Sequence, residues 1–278
     1  MSMLVQIAEP SPLYKPYIKY YKYIESDVTG ILKAIPITDT ELYFNFTHIN
    51  VYCYGYYNVD NPRIFLAGLH SLTQDGYTHM FGTGRGGGFV VVFKPQGFYH
   101  LFGIKSSDFA KYGLDGRSIF KDDIYSLHDQ FQTCFNVFEM RTLFESYLSN
   151  SLTTRIDGPY LVNEIFSYMD SSEGMISVSN ICKTFNISAR SLQRIFKDEI
   201  GISPMELLQI FRINKAIKMI NCPEEHDLTE ISYLSGYYDQ SHFIKDIKKI
   251  TGDTPGKIKD SKSLNESQHH NRVFIKEA

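Results

Sequence analysis

The hydrophobic pattern of the chain changes period near Gln130. Before that point the apolar residues fall in short, dense runs. Glu41–His48 (ELYFNFTH) alternates in part, and Val51–Tyr57 (VYCYGYY) and Phe89–Phe93 (FVVVF) are rich in β-branched and aromatic side chains. Gly, Pro, Asn and Asp punctuate the intervals, the signature of short strands joined by turns. Many short strands with turn signals predict a small barrel or sandwich. After Gln130 the spacing becomes helical: Phe131, Phe135, Phe138 and then Phe144, Tyr147 and Leu148 recur at roughly helical spacing. Such a stripe either covers the chain's own sheet or pairs with the same stripe on a second copy. Polar residues Ser149–Pro159 read as a linker, and Tyr160 to about Lys259 as short helices separated by turns. The predicted fold class is α+β. Residues 1–150 form a β-rich barrel or sandwich-like domain ending in a helical segment, 151–159 a linker, 160–260 an all-α domain, and 261–278 a loose polar tail.

Two helix-turn-helix patterns stand in the all-α region. In Val178–Gly201 (VSNICKTFNISARSLQRIFKDEIG), Ile181, Cys182 and Phe185 give one helix an apolar stripe, Asn186–Ile187 makes the turn, and Ser188 caps the next helix. Leu192, Ile195 and Phe196 point inward there. Arg190, Arg194 and Lys197, at i, i+4 and i+7, share an outer face flanked by Ser191 and Gln193. Arg can read guanine and Gln adenine with paired hydrogen bonds in a major groove. Gly201 stops the helix, and Ser203–Pro204 starts a long strut that runs to about Ile220. In Leu228–Pro255, Ile231 and Leu234 face inward on a scaffold helix, Gly236 marks the turn, and Asp239 caps a second reading helix. Phe243, Ile247 and Ile250 face its core, while Gln240, Ser241, His242 and Lys245 point outward near its start.

These residues carry a resemblance. SARSLQRIFKDEIGISP, FRINKAIKMI, the run Gly236, Tyr237, Asp239, Ser241, Phe243, Lys245, and KKITGDTP resemble the DNA-binding domain of the AraC/XylS family of bacterial transcription regulators. The last segment of that family is close to G-F-x-D-x-S-Y-F-x-R-x-F-K-x-x-x-G-x-T-P. This chain has Tyr237, His242, Lys245 and Ile247 where the pattern has Phe, an aromatic, Arg and Phe. Lys245 replaces a forked donor with a point charge, which suits a phosphate better than a base. The resemblance implies DNA contacts by Arg190, Ser191, Gln193, Arg194 and Lys197 from the first unit and by Gln240, Ser241, His242 and Lys245 from the second. FVVVFKPQGFYHLFGIKSSDF and IPITDTELYFNF resemble parts of a sensory or assembly domain found on many such regulators. The implied function is sequence-specific regulation of transcription at an operator in double-stranded DNA, with a small-molecule effector or partner acting on the front domain. Regulators of this kind often form homodimers. Two alternatives are a regulator controlled by its own abundance and a front-domain binding protein whose helical module makes protein contacts only. The polar face of Arg190, Gln193 and Arg194 disfavours the last, because protein interfaces favour apolar or aromatic anchors.

Composition narrows the picture. Apolar residues are 43% of the 278, enough for a buried core, and the formal charge is −3. From Asn180 to Asp260 there are 12 Lys and Arg against 11 Asp and Glu, so a single helical module carries little net attraction for phosphate. Cys53, Cys134, Cys182 and Cys222 are far apart and form no C-x-x-C pair; they read as buried thiols in a reducing compartment. None follows a proline, which argues against an alkyl-accepting repair enzyme of the sort that carries a similar helical domain. Gly82, Gly84 and Gly87 match G-x-G-x-x-G, but the nucleotide-binding mechanism needs a helix afterwards and here a strand pattern follows. His48, His70, His79 and His100 have no spacing that requires a metal. Tyr43, Tyr52, Tyr54 and Tyr56 either line an aromatic ligand pocket or serve cross-strand packing. No catalytic motif and no cofactor are indicated. No apolar run approaches the roughly 18 residues of a membrane span, and the N-terminus lacks an apolar signal core, so the expected location is the cytoplasm, without membrane contact.

Overall fold

A computed structural model describes residues 4–27, 30–34, 39–46, 49–53, 57–59, 63–67, 78–82, 85–105, 120, 122–151, 161–221, 226–260, 264–266 and 273–276. The front of the chain forms two antiparallel sheets. The first has the order β1 (Leu4–Ala8), β2 (Ile18–Asp27), β9 (Arg85–Phe93), β4 (Thr40–Asn45), β7 (Ile64–Ala67). The second contains β3 (Gly30–Ala34), β8 (Thr78–Gly82), β5 (Ile49–Cys53) and β6 (Tyr57–Val59). The tail read as loose supplies two further strands of this second sheet: β10 (Leu264–Glu266) pairs with β11 (Val273–Lys276), and β11 pairs with β3. The dense run Val51–Tyr57 divides between β5 and β6, with Cys53 opposite Tyr57.

Strand alternation sorts the first sheet into two faces. Tyr21, Leu42, Phe44, Ile64, Phe89, Val91 and Phe93 join one core with Ile124, Leu127 and Phe131 of α2 (Asp123–Phe131) and Val137, Phe144 and Leu148 of α3 (Val137–Ser151). Phe44 meets Phe131 edge-on at 4.9 Å between ring centres. The other face carries Lys22, Val90, Val92, Glu41 and Asn45, also buried. Gly97 opens α1 (Gly97–Phe102) so close to the turn before β2 that a Cβ would lie 1.8 Å from the Tyr17 carbonyl oxygen. The aromatic stripe of the sequence therefore belongs to two helices. Asn136 caps the second by accepting from the Phe138 and Glu139 amides. Phe131 and Phe144 are fully buried, whereas Phe135 and Phe138 are 90% and 55% exposed. Cys134 and Cys182 are half-buried rather than buried.

The helical region is held by a second core that runs from α4 (Leu161–Ser171) to α10 (Pro255–Asp260). Its centre is the strut α7 (Pro204–Asn221), whose Leu207, Leu208, Ile210, Phe211, Ile213, Ala216, Ile217 and Ile220 are all buried. The strut starts with a reciprocal cap: Glu206 N donates to Ser203 Oγ at 3.2 Å and Ser203 N donates to Glu206 Oε2 at 2.8 Å.

Candidate nucleic-acid interface

The first reading unit is α5 (Val178–Thr184), a turn, and α6 (Ala189–Ile195). Ser177 caps α5 and Ser188 caps α6, each accepting from an amide three residues on at 3.1 Å. The turn is tight enough to hold Asn186 at φ 49°, a conformation that Asn tolerates better than most side chains. Leu192 and Phe196 are fully buried in the helical core, with Ile195 packed at its edge. Arg190, Gln193, Arg194 and Lys197 are exposed, and among the described residues neither arginine nor Lys197 has an ion-pair partner. Their donors are therefore free for a ligand. Ser191 is half-buried, and its hydroxyl accepts from Ser188 Oγ at 2.9 Å, which ties it to the cap.

One geometric expectation changes. The helix does not run on as α-helix to Gly201. Phe196–Ile200 is a π-helical turn in which Gly201 N donates to Phe196 O at 2.8 Å. The backbone through Phe196 keeps α-helical angles (φ −62°, ψ −42°), so Lys197 holds its i, i+7 place relative to Arg190 and the wider turn lies beyond it. Arg190, Ser191, Gln193 and Arg194 stand on α6, and Lys197 on the π turn.

The second unit is α8 (Leu228–Leu234), a turn, and α9 (Gln240–Thr251). Asp227 caps α8 by accepting from Glu230 N at 2.7 Å, and Asp239 caps α9 by accepting from Ser241 N at 2.8 Å. Phe243 and Ile247 are fully buried and Ile250 nearly so. Ile231 is buried, but Leu234, expected inside, is 42% exposed, because it is the last residue of its helix and lies beyond the edge of the core. Gly236 has φ 79°, and a Cβ there would meet only the flexible ends of Arg212 and Met175 at 3.3 Å. The turn selects glycine by its backbone angle, not by a clash. Gln240, Ser241, His242 and Lys245 are all exposed around the first turns of α9. Gln240 Nε2 lies within 3.4 Å of Thr229 Oγ1.

Arg212 joins the two units and was not singled out from the sequence. It projects from the strut, donates to the Gly174 carbonyl ahead of the first unit, and stacks its guanidinium 5.5 Å from the Tyr237 ring centre in the second. Burial raises the Tyr237 hydroxyl above its ordinary pKa; Asp246 adds to the rise and Arg212 opposes it. A lone Arg within the apolar run LLQIFRINKAI was the available signal. Of the tyrosines proposed for a pocket, Tyr43 is half-buried and donates to Glu41 Oε2. Tyr52 lies in β5, its side chain outside the described residues, as are Tyr54 and Tyr56 altogether. Strand β9, not a helix, contains Gly87 of the glycine run.

Two helix-turn-helix units on one strut define a nucleic-acid-binding fold of the helix-turn-helix class. Residues 181–261 match the family described as "Helix-turn-helix domain", and this part of the chain is a helix-turn-helix domain of the AraC type. The transcriptional activator RhaS of Salmonella arizonae is 33% identical over 63 residues, 23% of this chain and 22% of that relative. The chain thus aligns with less than a quarter of the curated relative's length. Among solved structures, the C-terminal domain of AraT, a response regulator from Geobacillus stearothermophilus, is 26% identical with a TM-score of 0.35, covering 40% of this chain and 98% of that one. ToxT from Vibrio cholerae is 13% identical with a TM-score of 0.47, covering 93% and 97%.

Proposed function

We propose that the protein is a sequence-specific regulator of transcription that reads double-stranded operator DNA with α6 and α9. The observation that carries this reading is the pair of capped reading helices, each fixed by buried residues on one side and presenting polar side chains on the other. The first supplies Arg190, Gln193 and Arg194 for base edges, with Ser191 and Lys197 beside them. The second supplies Gln240, Ser241 and His242, with Lys245 directed to phosphate. The name of the RhaS relative, a transcriptional activator, supports the same role.

The finer parts of the reading concern the front domain. We infer that it receives an effector or a partner, and that two copies associate through the exposed Phe135, just before α3, and Phe138 in its first turn. The near balance of acid and base in the helical region supports a dimer, since one copy alone neutralises few phosphates. No helix among the described residues is long and apolar enough to cross a membrane, which is consistent with action on DNA in the cytoplasm.

The test is selection from a random DNA pool followed by footprinting. One enriched motif with two protected patches per protomer, about 34 Å apart on one face, is expected. Failure to enrich any sequence refutes the function. Light scattering at micromolar concentration should give a dimer mass that Phe135→Ser with Phe138→Ser reduces to a monomer.

A further inference from the structure

Helix α1 belongs mechanically to the front domain. Phe98 is fully buried against Phe93, Lys94 N donates to Tyr17 O at 2.8 Å, and Gly97 leaves no room above that same carbonyl. From this fixed base His100 and Lys105 reach the reading domain. His100 Nε2 lies 3.3 Å from Glu199 Oε2, and Lys105 Nζ lies 3.3 Å from Asp198 Oδ2. Asp198 and Glu199 sit in the π turn that ends the first reading helix. Two consecutive acids at a helix C-terminus stand where the backbone dipole disfavours negative charge. For a freestanding helix the placement is unfavourable; the Lys105 ammonium opposite Asp198 offsets it, and the His100 ring stands beside Glu199.

His100 adds a second observation. The residue is 4% exposed, and neither ring nitrogen has a hydrogen-bond partner among the described residues, although Glu199 is within reach. Buried polar groups in folded proteins are nearly always satisfied, and an exception calls for a reason. A small movement of α1 against the π turn would close or release this contact. The contact is at the C-terminal end of the reading helix, whereas the N-terminal residues of such a helix enter the groove. Arg190, Gln193 and Arg194 therefore stay accessible while the front domain is docked.

We propose that His100 and Lys105 of the front domain, through Glu199 and Asp198, are positioning residues that set the angle of the first reading helix in the groove and so couple the front domain to base reading. This inference rests on the DNA-reading function above. A docked front domain holds the helix in its reading pose, and loosening the contact weakens specific binding by removing that preorganisation.

The test uses the full chain and a DNA fragment enriched from a random pool by the wild-type protein. Glu199→Gln and His100→Gln should each weaken binding to that fragment about five-fold or more, with little change on random-sequence DNA, and the double variant should be no weaker than the worse single one. Lys105 is half-exposed, so Lys105→Glu tests the joint with little risk to folding. It should weaken specific binding about two- to five-fold, as expected of a partly exposed pair, and Asp198→Lys in the same chain should restore it. Amide hydrogen exchange over 196–200 should quicken in the single variants and return in the charge-swapped pair. Additive losses, or faster exchange with unchanged affinity, would overturn the proposal and leave a structural contact only. If the wild type enriches no DNA, the function fails instead, and the exchange measurements still report on the joint.

Discussion

Lys22 and Glu41, on the non-neighbouring strands β2 and β4, meet across β9 with Nζ 2.7 Å from Oε1, and their side chains are 1% and 3% exposed. The register explains the meeting, since Lys22 and Tyr43 both lie opposite Val90 and Glu41 lies opposite Val92. The Tyr43 hydroxyl donates to the other carboxylate oxygen. Two charges withdrawn from water are tolerable here because each compensates the other and further hydrogen bonds complete the set.

Breaking this pair from one side should therefore be worse than removing it. Lys22→Met leaves a buried carboxylate without its cation and should cost about 3–5 kcal/mol. Glu41→Gln added to Lys22→Met removes the stranded charge and keeps an acceptor for Tyr43, so it should recover at least half of that loss. Urea unfolding of the front domain checks the order. A double variant less stable than Lys22→Met would mean that the pair is not a closed electrostatic unit.

Local backbone chemistry should account for the reading turns. Ser188→Ala removes the acceptor for Ser191 N and should cost about 0.5–2 kcal/mol, with Ser188→Asp close to wild type. Gly236→Ala should cost about 1–2 kcal/mol from the positive φ alone, because its Cβ meets only side-chain ends that can move. Gly97→Ala should lose more, since its Cβ would press on the Tyr17 carbonyl and unseat α1. Thermal melts of the three variants give the ranking, and equal losses at Gly236 and Gly97 would contradict the distinction between a backbone angle and a clash.

The reading helices were legible because several local signals coincide there. Ser188 and Asp239 are caps, Gly236 supplies a left-handed turn, and Leu192, Phe196, Phe243 and Ile247 keep a helical period. The π turn at Phe196–Ile200 was not legible, since an i→i−5 hydrogen bond leaves no trace in composition. Strand β2 escaped notice because its register shifts between Ile18 and Tyr20, and the adjacent apolar pairs Tyr20–Tyr21 and Tyr23–Ile24 break the alternation that identifies a strand. Strands β10 and β11 are too short to show a period, and β3, with which β11 pairs, lies more than 200 residues away in sequence. The contact of His100 and Lys105 with Glu199 and Asp198 is equally non-local, and nothing in either segment announces the other.

The departures of the second unit from the family pattern give the final prediction. Arg190 and Arg194 present forked donors and Gln193 a donor–acceptor amide on α6, whereas on α9 the Gln240 amide is engaged with Thr229 and the cation is Lys245, a single ammonium. Base discrimination should therefore be concentrated in the first unit. Arg194→Ala and Gln193→Ala should each cost about 1–3 kcal/mol on the selected site and little on random DNA. Lys245→Ala should weaken both DNAs alike and flatten the dependence of log affinity on log salt by about one unit, as loss of one phosphate contact requires. Lys245→Arg should then gain discrimination at the bases facing α9, because the fork restores paired donors. Mobility-shift titrations at three salt concentrations separate these outcomes. Equal losses on both DNAs for Arg194→Ala would move that residue to the phosphate backbone and leave base reading to Gln193 and the second helix.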